Sequence, residues 1–251
     1  MILKPAARFL SILAWALIYV PAIAAAQQST PLNQTEEEAI RALILQTIRE
    51  NPEVLVETLL AFQEEAQAEA QAEQIAAIER VSGDLQSDAN TGVMGNPNGE
   101  IVLIEFFDYN CPYCRAAAPI LFELIEDNPE LRIIMREWPI LGPDSELAAR
   151  ASLAALKQDG FASFHEALMA QPRANAVMIR RAAEQVGLDY AQLQADMQAE
   201  DVTAHIEASR RAAAELGISG TPTFLIGNTL VPGLLEKADL QALILEAENA
   251  D

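Results

Sequence analysis

The 251-residue chain has little cysteine, with only two residues, and little positive charge. Two cysteines cannot build a disulfide-stapled scaffold or a four-cysteine zinc site. Sixteen Lys and Arg against 37 Asp and Glu give a net charge of -21. A surface that acidic repels phosphate backbones, so the composition argues against a nucleic-acid partner. The hydrophobic fraction of 51% is enough for a full core without disulfides.

Residues 1–26 have the pattern of an export signal. They combine two basic residues, an apolar run at 9–20 and small residues ending at Ala26. This order is typical of a secretory signal peptide, cleaved after Ala24 or Ala26. A membrane anchor is the alternative, but the run is shorter than the about 20 apolar residues that span a bilayer. We therefore expect an exported protein in an oxidising compartment, where a cysteine pair can form a disulfide.

Residues 27–82 predict an N-terminal helical region. Thr35 and the three glutamates that follow it indicate a helix start, and a second helix is expected after Asn51-Pro52. Two such helices are too small to bury their own apolar stripe, so they pack on the rest of the chain or on copies of themselves. Residues 35–80 are thus a possible oligomerisation region. The segment 83–99, rich in Gly, Asn, Asp and Ser, predicts a linker.

Residues 100–251 predict an α/β domain. The nearly continuous apolar run Ile101–Phe107 is expected of a buried strand. Further strands are predicted at 131–138, 223–226 and 229–231, and helices at 111–126 and 236–248. Several helical patterns fill residues 143–216. This order predicts an α/β sandwich with a helical insertion.

Both cysteines lie in one motif, Cys111-Pro112-Tyr113-Cys114, where the first strand gives way to a helix. A thiol at a helix N-terminus faces free N–H groups and the positive end of the helix dipole, which lowers its pKa. We therefore expect Cys111 to be the nucleophile and Cys114, one turn into the helix, to be the resolving thiol. Pro112 and Tyr113 tune the thiolate and are assigned to the substrate-binding surface.

Other uses of a cysteine pair have to be weighed against redox chemistry. A structural disulfide normally joins distant segments, because a two-residue loop gains little entropy. A zinc site would need two more ligands, and His165 and His205 are isolated and expected on a surface or helix face. Two thiolates can hold Cu(I), so a copper-sequestering protein is the alternative function. The sequence lacks the Met and His clusters of a dedicated copper carrier.

The stretch FFDYNCPYC at 106–114 resembles the thioredoxin fold, and more closely the DsbA-type periplasmic thiol:disulfide oxidoreductases. Pro119 stands where thioredoxin-like proteins carry a kinking proline, and the segment GTPTF at 220–224 resembles their cis-proline loop. The N-terminal segment IRENPEVLVETL at 48–59 is similar to the leading domain of the ScsC subgroup. The resemblance implies an α/β thioredoxin-like fold with an inserted helical domain and an N-terminal helical extension.

The same resemblance implies roles for individual residues. Glu105, six residues before Cys111, matches the buried acid that assists proton transfer, and Thr221-Pro222 would dock the substrate backbone. A redox-active Cys111–Cys114 pair needs no organic cofactor and no metal. The implied partners are unfolded or misoxidised exported proteins and a membrane-bound redox partner, in the periplasm. Isomerase, reductase and oxidase directions all stay open.

Overall fold

The computed structural model describes residues 33–249, so the expected signal peptide at 1–26 lies outside the described residues. The chain divides into two units, one ending at Ala61 and one beginning at Phe62. Among residues 33–249, no helix is both long enough and apolar enough to cross a membrane.

The first unit contains helix α1 (Gln34–Glu50) and the start of helix α2 (Pro52–Ser87). The residue that caps α1 is Asn33 and not Thr35. The Asn33 side chain accepts the Glu36 N–H at 3.0 Å, and the Glu36 carboxylate accepts the Asn33 N–H at 2.9 Å. This reciprocal capping box satisfies two N–H groups at once, which one threonine hydroxyl does not. No residue of α1 is buried.

The second unit is built on a five-stranded mixed sheet in the order β1-β3-β2-β4-β5. The strands are β1 (Gly92–Gly95), β2 (Ile101–Phe107), β3 (Leu131–Glu137), β4 (Thr223–Ile226) and β5 (Thr229–Pro232). Among these five described strands, only β2 and β3 pair in parallel. In the central strand β2, Glu105 lies between Met135 of β3 and Phe224 of β4.

Helices cover both faces of the sheet. They are α3 (Pro112–Asp127), α4 (Pro143–Leu156), α5 (Phe161–Met169), α6 (Ala176–Gln185), α7 (Tyr190–Asp196), α8 (Glu200–Glu215) and α9 (Lys237–Glu248). Helices α3 to α7 and α9 share one apolar core with Leu103 and Phe107 of β2. The last part of α2 and the end of α8 pack against Ile104 and Phe106 on the opposite face. The predicted α/β fold with a helical insertion is confirmed.

The segment 83–99, which the composition predicts to be a linker, differs from that prediction. Helix α2 continues to Ser87, and β1 pairs with β3 as an edge strand. Leu85 is buried with Ile78 in the core under β2 and β4, which fixes the end of the helix. Gly92 makes room for Phe161, because a Cβ at position 92 would overlap the Phe161 ring. Gly92 therefore permits close packing inside a folded region.

Asp88, just after α2, is the centre of a half-buried polar cluster. The Arg136 guanidinium donates to Asp88 Oδ2 at 2.8 Å and to Thr91 Oγ1 at 2.7 Å. His205 Nδ1 lies 2.8 Å from the same Asp88 oxygen. The hydrogen bond to His205 is the main reason that the pKa of Asp88 is well below its usual value; burial opposes it and Arg136 adds to it. The Arg136 side chain is only 2% exposed, so Asp88 supplies the partner of a buried cation.

Replacing Asp88 with asparagine should lower the free energy of unfolding by about 3 kcal/mol at pH 7, because a buried arginine loses its charged partner. A carboxyl whose pKa is depressed in the folded state stabilises above its unfolded pKa, and that stability is lost as the pH falls. The difference between wild type and Asp88→Asn, measured by urea unfolding, should therefore shrink below about pH 4.

The matched control is Asp201→Asn. Asp201 is the partner of Lys157 and is more exposed than Asp88. It should cost less than about 1 kcal/mol. Equal losses for the two variants at pH 7 would show that the Asp88 cluster is no more than a surface ion pair.

Candidate active site

The turn between β2 and α3 is organised by Asp108. The Asp108 carbonyl accepts the Cys111 N–H at 3.0 Å, and its carboxylate accepts the Asn110 N–H at 2.7 Å. The other carboxylate oxygen accepts the N–H groups of Ile140 at 2.8 Å and Leu141 at 2.9 Å. One side chain therefore fixes both the loop that carries the nucleophile and the loop after β3.

Cys111 is the N-cap residue of α3, and both cysteines are free thiols in this structure. The pKa of Cys111 is lowered from 9.0 to about 5. The main cause is the hydrogen bond from the Cys114 side chain; Thr221 and the backbone N–H groups of Cys114 and Tyr113 add to it, while burial opposes it. Near pH 7 the Cys111 sulfur is therefore a thiolate, which is the nucleophilic form.

Cys114 has the opposite electrostatic environment. Its side chain is fully buried, and burial is the main cause that raises its pKa. The hydrogen bond to Cys111 and the charge of Glu105 raise it further. The two thiols three residues apart thus hold their protons very differently. The arrangement fits an attacking Cys111 and a resolving Cys114.

Glu105 is a buried carboxyl that interacts electrostatically with both thiols. It is 2% exposed, and its Oε1 atom has no hydrogen-bond partner among residues 33–249. Burial, and next the negative charge of Cys111, raise its pKa from 4.5 to about 8. A carboxyl with that pKa can give or take a proton near neutral pH.

The segment around Thr221 lies against the nucleophile. The Cys111 Sγ atom, as a thiol, donates to the Thr221 carbonyl at 3.2 Å, and the Thr221-Pro222 peptide bond is cis. Pro112 and Tyr113 are both exposed beside it. All seven residues that the sequence assigns to the site thus fall in one place, made by strand β2 with Glu105, the start of α3 and the loop before β4.

Both histidines lie on helices, as one of the two predicted placements has it, but both are buried and neither is on the surface. His165 Nδ1 lies 2.8 Å from the Tyr109 hydroxyl, which is 2.7 Å from Ser152 Oγ. Burial lowers the pKa of His165 to about 3, so it is neutral near pH 7. His205 belongs to the Asp88 cluster. Single histidines on helices gave no sequence signal for these partners, which are distant in the chain.

Three further residues near the site were not singled out from the sequence. The Arg115 guanidinium donates to the carbonyls of Met169 and Gln171 at the end of α5. Asn110 binds the helical insertion through its side chain. Glu137 is fully buried, and within the described part of the chain neither of its carboxylate oxygens has a hydrogen-bond partner. The signal for Arg115 and Asn110 was their position beside the CxxC motif.

A CxxC motif that opens a helix after a central strand, with a cis-proline loop against it, defines a thioredoxin-like thiol-disulfide protein. The sequence profile of the DSBA-like thioredoxin domain matches residues 102–244, which is more than half of the chain. The chain belongs to this family. The resemblance to DsbA-type proteins is confirmed.

Solved structures support the same assignment. A thioredoxin-like oxidoreductase from Silicibacter pomeroyi is 48% identical, covers 66% of this chain and 97% of its own, and has a TM-score of 0.65. Proteus mirabilis ScsC in a transitional conformation is 28% identical over 88% of this chain and 99% of its own, with a TM-score of 0.65. A periplasmic thioredoxin-like protein from Salmonella enterica serovar Typhimurium is 28% identical over 66% of this chain and 95% of its own, with a TM-score of 0.62.

Curated relatives include much longer proteins. Na(+)/H(+) antiporter NhaA 3 of Salinispora tropica is 29% identical over 158 residues, which is 62% of this chain. The match spans only 24% of that relative's length.

Proposed function

We propose that this protein is a thiol:disulfide oxidoreductase that exchanges disulfides with exported protein substrates in the periplasm. The observation that carries the proposal is the unequal pair: a Cys111 thiolate at the start of α3 beside a buried, protonated Cys114. The export-signal pattern at 1–26 and the similarity to the Salmonella protein support the location.

Exchange with a substrate disulfide proceeds in two balanced steps. The Cys111 thiolate attacks one substrate sulfur, a mixed disulfide forms, and the other substrate sulfur leaves as a thiolate. Cys114 then attacks Cys111, the Cys111–Cys114 bond forms, the mixed bond breaks, and the second substrate thiolate leaves. The Cys114 proton goes to the Glu105 carboxylate. The reverse sequence donates the disulfide to a dithiol substrate.

An apolar surface next to the thiolate suits extended protein segments. Tyr113, Ile140 and Leu141 are exposed, and Asp108 holds the last two in place. Thr221 presents backbone groups next to Cys111, where a substrate strand can pair with them. Misoxidised exported proteins, which expose both apolar segments and wrong disulfides, fit this surface.

The direction of the reaction is tested by reactivation of a scrambled-disulfide protein in glutathione buffer. Reactivation that is lost in Cys111→Ala supports an isomerase; the ScsC similarity leads us to favour isomerase or reductase activity over oxidase activity. Oxidation of dithiol peptides without reactivation supports an oxidase. If neither reaction depends on Cys111, the proposed function is wrong.

The N-terminal helices carry an exposed aliphatic surface. It consists of Ile40, Leu43, Ile44, Leu45, Val54, Leu55, Val56, Leu59 and Leu60. Exposed apolar surface of this extent marks an interaction site. A second copy of the chain supplies an equal aliphatic surface, and symmetric oligomers join like surfaces in this way. We therefore favour homo-oligomerisation through residues 35–80.

Replacing both Leu55 and Leu59 with aspartate should lower the oligomeric state, because charges would have to be buried between copies. Sedimentation or light scattering of the full chain measures the change. Glu57→Gln, on the same helix, changes a charge but no apolar area and should leave the mass unchanged. A monomer in both wild type and the double variant contradicts the proposal.

Two other predictions from the sequence stay proposals. A membrane-bound redox partner would return the cysteine pair to its starting redox state after each turnover. Copper sequestration through Cys111 and Cys114 is the alternative function, and a one-to-one Cu(I) complex that resists glutathione would support it.

A further inference from the structure

Asn110, the residue before the nucleophile Cys111, is hydrogen-bonded to the helical insertion. The Asn110 side-chain amide donates to the Ala174 carbonyl at 3.0 Å and to Ser145 Oγ at 3.2 Å. The Asn110 side-chain oxygen accepts the Ala174 N–H at 2.9 Å. Ser145 is 1% exposed and Ala174 is fully buried. One amide therefore ties the turn after β2 to two separate parts of the insertion, the start of α4 and the segment before α6.

The backbone at the same position is held from the β2 side. Asn110 and Cys111 donate their N–H groups to the Asp108 carboxylate and carbonyl. These two bonds hold the backbone of the turn. The Asn110 side-chain amide makes the bonds on the side that faces the insertion.

The amide bonds act together with Tyr109, whose hydroxyl contacts Ser152 and His165. They also act together with Arg115, which donates to carbonyls at the end of α5. Of these three side chains, Asn110 is the one directly before the nucleophile.

The orientation of Cys111 matters because its thiolate is stabilised by directional contacts. The Cys114 thiol and the N–H groups of Tyr113 and Cys114 point at the Cys111 sulfur. Hydrogen bonds of this kind weaken steeply as the angle departs from linear. A turn that shifts would lose part of this stabilisation even though no contacting group had been removed.

We propose that Asn110 is a positioning residue, which anchors the CxxC turn to the helical insertion and so holds Cys111 in its reactive orientation. This inference deepens the proposed thiol exchange and rests on it. Through Asn110, the insertion then also sets the reactivity of the nucleophile.

The charged and titratable groups around the site limit what else could change on substitution. Cys114 of α3 and Glu105 of β2 are the groups that interact with Cys111. Asp144 and Arg173 line a cavity of about 590 Å³ beside Asn110, and they pair with each other at 2.7 Å. Asn110→Ala alters none of these charges. A changed thiol pKa in that variant therefore reports on orientation.

The test is a pH titration of thiolate absorbance in the full chain, together with its equilibrium against glutathione. Asn110→Ala should raise the pKa of Cys111 by about 0.5 to 1 unit. Stabilisation of the thiolate favours the reduced protein. The equilibrium ratio of reduced to oxidised protein should therefore fall by about 3- to 10-fold. Ser145→Ala removes one of the three bonds and should shift both readouts less, in the same direction.

The matched control is Asn175→Ala. Asn175 lies in the same segment and caps α6 by accepting the N–H groups of Val177 and Met178 at 3.1 Å. Its loss should lower the melting temperature and leave the Cys111 pKa unchanged. If Asn175→Ala shifts the pKa as much as Asn110→Ala, or if neither Asn110→Ala nor Ser145→Ala shifts it, the inference is wrong.

The titration needs no substrate, so its outcome is separate from the proposed function. A shifted thiol pKa in a protein that exchanges no disulfides would support the anchor and refute the activity. Normal exchange with an unshifted pKa would refute the anchor alone.

Discussion

Cys114→Ser should turn the protein from a turnover catalyst into a covalent trap. The Cys111 thiolate remains able to attack a substrate disulfide, because the serine hydroxyl can still donate to its sulfur. The mixed disulfide that forms then has no resolving thiol, since exchange needs a thiolate and a serine hydroxyl does not replace it. Mass spectrometry with a disulfide-bonded peptide should show one peptide per protein chain, released by a reductant. Multiple turnover should fall by at least about 100-fold.

Cys111→Ser is the matched control for the trap. Its remaining thiol at Cys114 is buried and holds its proton tightly, so no adduct should accumulate near pH 7. Adducts on Cys111→Ser would show that Cys114 is the attacking thiol. Wild-type turnover by Cys114→Ser would show that no resolving thiol is needed at position 114.

The chemistry of the site could be predicted because its signal is local. Cys111 and Cys114 lie within one turn of a helix, and the helix start after an apolar strand is readable from a short stretch of residues. The strand bounds follow from the same logic: Ile101–Phe107 was predicted and observed without a shift. The placement of Thr221 against Cys111 joins residues 110 positions apart, and only the family resemblance indicated it.

What the sequence did not indicate depends on distant contacts. The bond between Asp88 and His205 spans 117 positions, and Asn110 reaches Ala174 across 64. Hydrophobic periodicity does not reveal such pairs, because each residue is one polar residue among others in its own segment. Strand β1 was missed for another reason. It is four residues long with a glycine at each end, and it is held by its pairing with β3 more than by its own composition.

Glu137 shows why a buried acid alone does not identify a proton donor. Glu105 and Glu137 lie on one face of the sheet, because Glu105 is opposite Met135 and Glu137 follows two residues later on β3. Burial is the main cause that raises both pKa values. Of the two acids, Glu105 is the one whose charge is among the main causes that raise the pKa of Cys114, so Glu105 is the candidate proton donor.

Glu105→Gln should slow reduction of the Cys111–Cys114 disulfide by about tenfold or more near pH 7. Reduction releases Cys114 as a thiolate, and the protonated Glu105 carboxyl supplies its proton. The pKa of Glu105 is about 8 beside the free Cys111, and burial still raises it in the disulfide, where Cys111 carries no charge, so that donation should fade as the pH rises toward 8 and beyond. The wild-type rate, expressed per thiolate of the reducing reagent, should fall there, and the Glu105→Gln rate should not. An unchanged rate from pH 5 to 9 would rule out the role.

The same substitution should stabilise the fold. A carboxyl whose pKa is raised on folding favours the folded state fully below its unfolded pKa, and that contribution is lost as the pH rises through the folded pKa. At pH 7, removing Glu105 should therefore add about 2–3 kcal/mol to the free energy of unfolding. Glu137→Gln should also stabilise, because Glu137 is equally buried, but it should keep the wild-type pH profile of reduction. Slower catalysis in a more stable protein, for Glu105 alone of the two, would show that the buried charge is retained for proton transfer at a cost to the fold.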